Sequence, residues 1–131
     1  MTEAFLHYIW QYQYFDKKDL LSTERENINI LKTGFYNTHA GPDFTEAKIK
    51  VGNLEWAGNV EIHIYASDWQ LHKHQHNKAY DNVILHVVWD NDKAIMRSDG
   101  STVPTLELKN RVQQSILLKY QKLVNTPDTI P

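Results

Sequence analysis

An α+β domain, with a mixed or antiparallel sheet flanked by N- and C-terminal helices, is expected from three features. These are an aromatic helical segment at the start, alternating β-patterned runs in the middle, and an amphipathic segment near the end. At 131 residues the chain fits one domain, 1–131, with enough interior for a core that needs no staples. Thr2 is placed to cap a helix to about Tyr14, with Leu6, Ile9, Trp10 and Gln13 on neighbouring positions. Phe5, Tyr8, Trp10, Tyr12, Tyr14 and Phe15 make this helix unusually aromatic, which suits a core or a face for a protein partner or a second copy, and more rarely a base-stacking platform.

Residues 16–26 are charged and predict a loop, and 28–31 predict a brief strand that Gly34 ends. An antiparallel meander follows: 44–51, a turn at Gly52-Asn53, 54–56, a bend or bulge at Ala57-Gly58-Asn59, and 60–65. The polar stretch 67–80 predicts a short helix capped by Ser67 or Asp68, with Trp69 pinned to the body. Residues 83–89 form a nearly continuous apolar run, the pattern of a strand covered on both faces. Val83, Leu85 and Val87 fall on one side and Ile84, His86 and Val88 on the other. Residues 93–97 and 103–108 predict a hairpin around Asp99-Gly100, and Val112, Ile116, Tyr120 and Leu123 mark a closing helix. The tail from Asn125, with Pro127 and Pro131, carries no further element.

Cysteine is absent, which excludes disulfides and thiolate metal sites and fits a reducing compartment. Residues 2–15 lack the pattern of a signal peptide and no apolar run reaches membrane-spanning length, so a cytoplasmic location without membrane attachment is expected. Net charge is −2, which gives no support to nucleic acid as a partner. The balance is uneven. Residues 1–90 carry eight Lys/Arg against twelve Asp/Glu, and 91–131 six against four, so Lys109, Arg111, Lys119 and Lys122 form either a basic strip or a solvated helix face.

Two constellations carry chemistry. Glu61 and His63 are two residues apart on a strand, facing one way while Val60, Ile62 and Ile64 face the other; Asp43 follows a Gly41-Pro42 turn. Asp43, Glu61 and the backbone carbonyl of Ile62 would make an all-oxygen site for Mg²⁺ or Mn²⁺, with His63 handling a proton or holding water. The bland alternative is a turn residue followed by two exposed strand residues. The second constellation is His63, His72, His74, His76 and His86, five of seven histidines within 24 residues. It suits Zn²⁺, Ni²⁺ or Fe²⁺, although no HExxH is present and His86 inside an apolar strand also reads as a hydrogen-bonded core histidine. Neither GxSxG nor GxxxxGK[ST] occurs, which disfavours acyl transfer and nucleotide hydrolysis.

The motifs AGPDF, GNVEIH, SDWxxHxH and YxNVILHVV, spread over about residues 28–108, resemble an uncharacterised bacterial domain-of-unknown-function family. Members of that family are longer, so the resemblance implies an N-terminal portion or a shortened version. The pair Pro42-Asp43 with Glu61-Ile62-His63 is also similar, more loosely, to the PD-(D/E)XK phosphodiesterase superfamily, with His63 in the lysine position. That similarity implies a restriction-endonuclease-like core and a metal-dependent, nuclease-like phosphodiesterase with Asp43, Glu61 and His63 as catalytic residues. A non-catalytic interaction module using the aromatic helix, and a His-rich transition-metal protein, are the alternatives.

Overall fold

The computed structural model describes residues 1–125, with side chains to Leu123; the tail with its two prolines lies outside the described residues. Along the chain come α1 (Glu3–Tyr12), β1 (Ile28–Lys32), β2 (Phe35–Tyr36), β3 (Phe44–Val51), β4 (Leu54–Tyr65), α2 (Asp68–Leu71), β5 (Val83–Asp90), β6 (Thr105–Glu107) and α3 (Gln114–Asn125). Two single 3₁₀ turns, His74–His76 and Lys78–Tyr80, complete the link from α2 to β5. The helix α1 starts where the cap predicts. Thr2 is extended and its hydroxyl accepts the Phe5 N–H at 3.1 Å, satisfying a donor that the first turn leaves unmet. Gln13, in the left-handed region, ends the helix just short of Tyr14.

The sheet order is β1-β3-β4-β5-β6, with β2 pairing the start of β3. The meander forms antiparallel through β4, joined to β3 by a two-residue turn with Gly52 at φ +60°. The chain then crosses the sheet through α2 and the 3₁₀ turns, so β5 lies parallel to β4 and β6 parallel to β5. The sheet is mixed and the fold α+β. The hairpin expected over 93–108 is reduced to one bridge, Met96 to Thr102. Arg97 explains this: its guanidinium donates to the carbonyls of Val83 at 2.8 Å and Thr102 at 2.7 Å, tying the turn to the start of β5. The following residues extend that strand's open edge, where His86 N–H reaches the Pro104 carbonyl at 2.8 Å.

No break occurs at 57–59; β4 runs unbroken for 12 residues. The irregularities lie in its neighbours. Register shifts in β3 between Phe44 and Ala47, where Glu46 sits at φ 59°, and against β5 at Asn59/Val60. Gly58 meets a different demand, because a Cβ there would stand 2.6 Å from the Asn82 carbonyl oxygen and 2.7 Å from Ile84 Cγ2.

The register shift also re-sorts β5. The apolar run 83–88 is buried on both faces as expected, but Ile84 joins Leu85 and Val87 on one side, leaving Val83 with Val88 on the other. A one-residue slip moves side chains to the opposite face, so strict alternation holds only beyond it. On the first face Phe5, Leu6, Ile9 and Trp10 of α1 pack with Phe44, Ile49, Val60, Ile62 and Leu85, and α3 adds Ile116, Leu117 and Tyr120. The second face is closed by Ala66, Trp69, Tyr80, Ile95 and Val103. Both long helices therefore flank one face, and the crossover covers the other.

Arg111 does not join an open basic strip. Its guanidinium donates to the carbonyls of Asp16, Lys18 and Asp19 at 2.9–3.1 Å, and Lys109 lies 3.5 Å from Asp90. Among the described residues no helix is long and apolar enough to cross a membrane.

Candidate metal centre

The polar face of β4 is not a solvent face. Val60 and Ile62 point into the α1 side of the sheet, so alternation sends Glu61 and His63 toward the crossover, where Trp69 and the His74 turn cover them. Glu61 is 4% exposed and His63 1%. Leaving a buried polar group unpaired costs roughly 1–3 kcal/mol, so the surroundings must supply partners.

Asp43 supplies the first. The loop before it is set by Asn37, whose N–H donates to the Asp43 carbonyl at 2.8 Å and whose amide donates to the Pro42 carbonyl at 2.9 Å. The Asp43 N–H then donates to Glu61 Oε1 at 3.1 Å, and Asp43 Oδ2 accepts the Ile62 N–H at 2.8 Å. Side chains here continue the β3–β4 pairing past Phe44, where the regular ladder stops. The carboxyl groups of Asp43 and Glu61 also interact directly, and the pair retains a proton on Glu61. Burial and then the Asp43 charge push the Glu61 carboxyl up to about 10. Burial would raise Asp43 too, but hydrogen bonds from His7 and Glu61 outweigh it and hold Asp43 below its ordinary range.

The histidines supply the rest. His74 Nε2 lies 2.8 Å from Glu61 Oε2, off the line of a hydrogen bond, and both its ring nitrogens are buried without a hydrogen-bond partner. Its ring stacks on Tyr80 with centroids 3.7 Å apart. His63 Nε2 is 3.5 Å from the same Glu61 oxygen and 3.2 Å from His72 Nδ1, while His63 Nδ1 is 2.8 Å from His86 Nε2. A chain of imidazoles thus runs from buried His86 through His63 to exposed His72. Burial, reinforced by neighbouring imidazoles, pushes His63 down to about 3 and His74 to about 4, and holds His86 well below its usual range. These rings are neutral at pH 7 and offer lone pairs. One nitrogen each from His63, His72 and His74 falls within 4.8 Å of the others, the spacing of a metal-ion ligand set.

The two constellations read separately from the sequence therefore meet, sharing Glu61 and His63. Ile62 contributes its backbone between them while its side chain is in the core. His76 stands outside the group, exposed at the end of its 3₁₀ turn. Two participants were missed. His7 of α1 places Nε2 3.5 Å from Asp43 Oδ2, and Glu3, one turn earlier, has its carboxyl raised by burial and by Asp43. The signal was present: Glu3 and His7 are an i, i+4 polar pair on a helix otherwise docked by apolar residues.

Comparisons with curated proteins and with solved structures find no match. The family described as Protein of unknown function (DUF2851) matches residues 3–131, a span that includes Glu3, His7 and every other residue of this cluster, and the chain belongs to that family.

Proposed function

We propose that this protein is a metal-dependent phosphodiesterase of nuclease type, with its ion held by the carboxylates of Asp43 and Glu61 and the carbonyl of Ile62. The observation carrying this reading is the placement of Asp43 against buried Glu61, with the Asp43 N–H on Glu61 Oε1 at 3.1 Å and the Ile62 N–H on Asp43 Oδ2 at 2.8 Å, so that carboxyl oxygens of both residues converge at one end of β4. Such a pair suits a hard divalent cation, which can replace the proton on Glu61. An ion bound there would polarise a phosphoryl oxygen and provide hydroxide at neutral pH. His63 occupies the position of the superfamily's lysine and is neutral, so it offers a lone pair toward Glu61 rather than a fixed positive charge. The order of α1, antiparallel strands, crossover helix and parallel strand supports a restriction-endonuclease-like core.

The test is cleavage of plasmid DNA, RNA and an activated phosphodiester by purified protein with Mg²⁺ or Mn²⁺. Activity that needs the ion and falls to background in Asp43→Asn and Glu61→Gln is expected. Wild-type inactivity on all three substrates with the ion demonstrably bound would contradict the reading. A second reading, an interaction module, is favoured by the exposed Tyr8, Tyr12 and Tyr14, whose rings pack on one another 5.0–6.0 Å apart beside α1. Concentration-dependent association lost in a Tyr8→Ser, Tyr12→Ser variant would support it.

A further inference from the structure

We infer that the centre holds two ions: a transition metal on His63, His72, His74 and Glu61 Oε2 beside the Asp43–Glu61 ion, with Glu61 bridging them. The two oxygens of Glu61 face different surroundings. Oε1 is turned to Asp43, accepting its N–H at 3.1 Å, whereas Oε2 lies 2.8 Å from His74 Nε2 and 3.5 Å from His63 Nε2.

Ligand separations give the second argument. Four ligands around a tetrahedral ion with bonds near 2.0–2.1 Å stand about 3.3 Å apart. His63 Nε2 to His72 Nδ1 is 3.2 Å and His63 Nε2 to Glu61 Oε2 is 3.5 Å, close to that edge length. The His74–Glu61 edge is shorter, at 2.8 Å, and the three imidazole nitrogens lie within 4.8 Å of one another, so a bound ion would draw the imidazoles together and part His74 from Glu61.

The third argument is the orphaned ring. His74 is 7% exposed, and neither nitrogen has a hydrogen-bond partner although its ring is held by Tyr80 beside Glu61. An ion on Nε2, the nitrogen that lies 2.8 Å from Glu61 Oε2, would take the lone pair of one of these two unpartnered atoms. Behind the set, His86 Nε2 meets His63 Nδ1, the outer-partner arrangement that orients a metal-bound imidazole; with Nε2 on the ion, the proton sits on Nδ1 and is donated to His86. Imidazole nitrogens with one carboxylate favour Zn²⁺, Co²⁺ or Ni²⁺ over Mg²⁺. The bridge rests on the carboxylate site of the proposed phosphodiesterase; the imidazole site does not.

Titration of the full chain with Co²⁺, followed by visible absorption, tests the imidazole site, and Mn²⁺ binding followed by electron paramagnetic resonance tests the carboxylate site. Wild type should show the intense bands of four-coordinate Co²⁺ and still bind Mn²⁺ when Co²⁺ is present. His72→Ala, a surface change that spares the fold, should weaken Co²⁺ binding by at least about 100-fold, the upper end of the loss expected for a mere outer partner. His74→Gln should do the same, with Mn²⁺ binding intact in both. Asp43→Asn should lose Mn²⁺ and keep the Co²⁺ bands. Unchanged Co²⁺ affinity in both histidine variants overturns the imidazole site. Loss of both ions in a folded Asp43→Asn protein overturns the two-ion arrangement in favour of one shared site. Cleavage assays with Mn²⁺ bound report on the phosphodiesterase separately from either result.

Discussion

For single residues, burial holds the imidazoles of the cluster neutral and keeps a proton on Glu61, and both effects have a cost that pH exposes. Unfolded, His63, His74 and His86 take up protons as pH falls through about 6.5, while folded they resist to about 3, about 4 and well below the usual range respectively. Their contribution is lost as pH drops below about 6.5. Glu61 acts in the opposite sense, because the folded form keeps its proton to about 10 and the unfolded form releases it near 4.5. Its contribution is complete below about 4.5 and declines as pH rises toward 10. Between 4.5 and 6.5 the unfolded chain therefore binds three more imidazole protons and one fewer carboxyl proton, and stability climbs; above 6.5 only the Glu61 difference remains, and stability falls. Metal-free protein should be most stable near pH 6.5 in urea unfolding with chelator, and a stability that climbs steadily to pH 9 would show that Glu61 does not hold its proton. The same proton predicts that Mn²⁺ binding at pH 8 releases about one proton per ion, measured by calorimetry in buffers of different ionisation enthalpy. That Glu61 and His63 share a face was legible because strand alternation fixes it, and Asp43 stood out from the Gly41-Pro42 turn before β3. His7 and Glu3 were not legible, since their contribution depends on how α1 docks, which no local spacing specifies.

Among the elements, β4 decides the arrangement, with a core face of Val60 and Ile62 and a site face of Glu61 and His63. Its close approach to the loop before β5 depends on Gly58, so Gly58→Ala should cost about 1–3 kcal/mol, as overpacking does, and disturb metal binding. An unchanged midpoint in thermal or urea unfolding would show that Asn82 and Ile84 yield freely. The long periodic elements could be read in advance: α1 from Thr2 and its apolar stripe, β3 and β4 from alternation, β5 from its unbroken apolar run. Parallel pairing was not, because direction is set by a crossover whose path depends on Trp69 burying in the second core. Likewise Arg97 holds the 93–102 turn through backbone carbonyls remote in sequence, which hairpin spacing cannot reveal.

For the whole molecule, charge and site point in different directions. A net charge of −2 gives no long-range attraction for a polyanion, and Arg111 is committed to backbone carbonyls. Substrate capture should therefore depend on the bound ions, and cleavage should fall less steeply with salt than for a protein that neutralises 6–10 phosphates, whose affinity drops about 10³–10⁵-fold from 50 to 200 mM. A loss of that size on raising NaCl over the same range would reveal a basic surface elsewhere. Whether Asp43 and Glu61 hold a divalent ion is decided by calorimetric titration of wild type and Asp43→Asn with Mn²⁺. Saturable binding to wild type that disappears in a folded Asp43→Asn protein is predicted; equal binding to both proteins, or none to wild type at millimolar Mn²⁺, would contradict it.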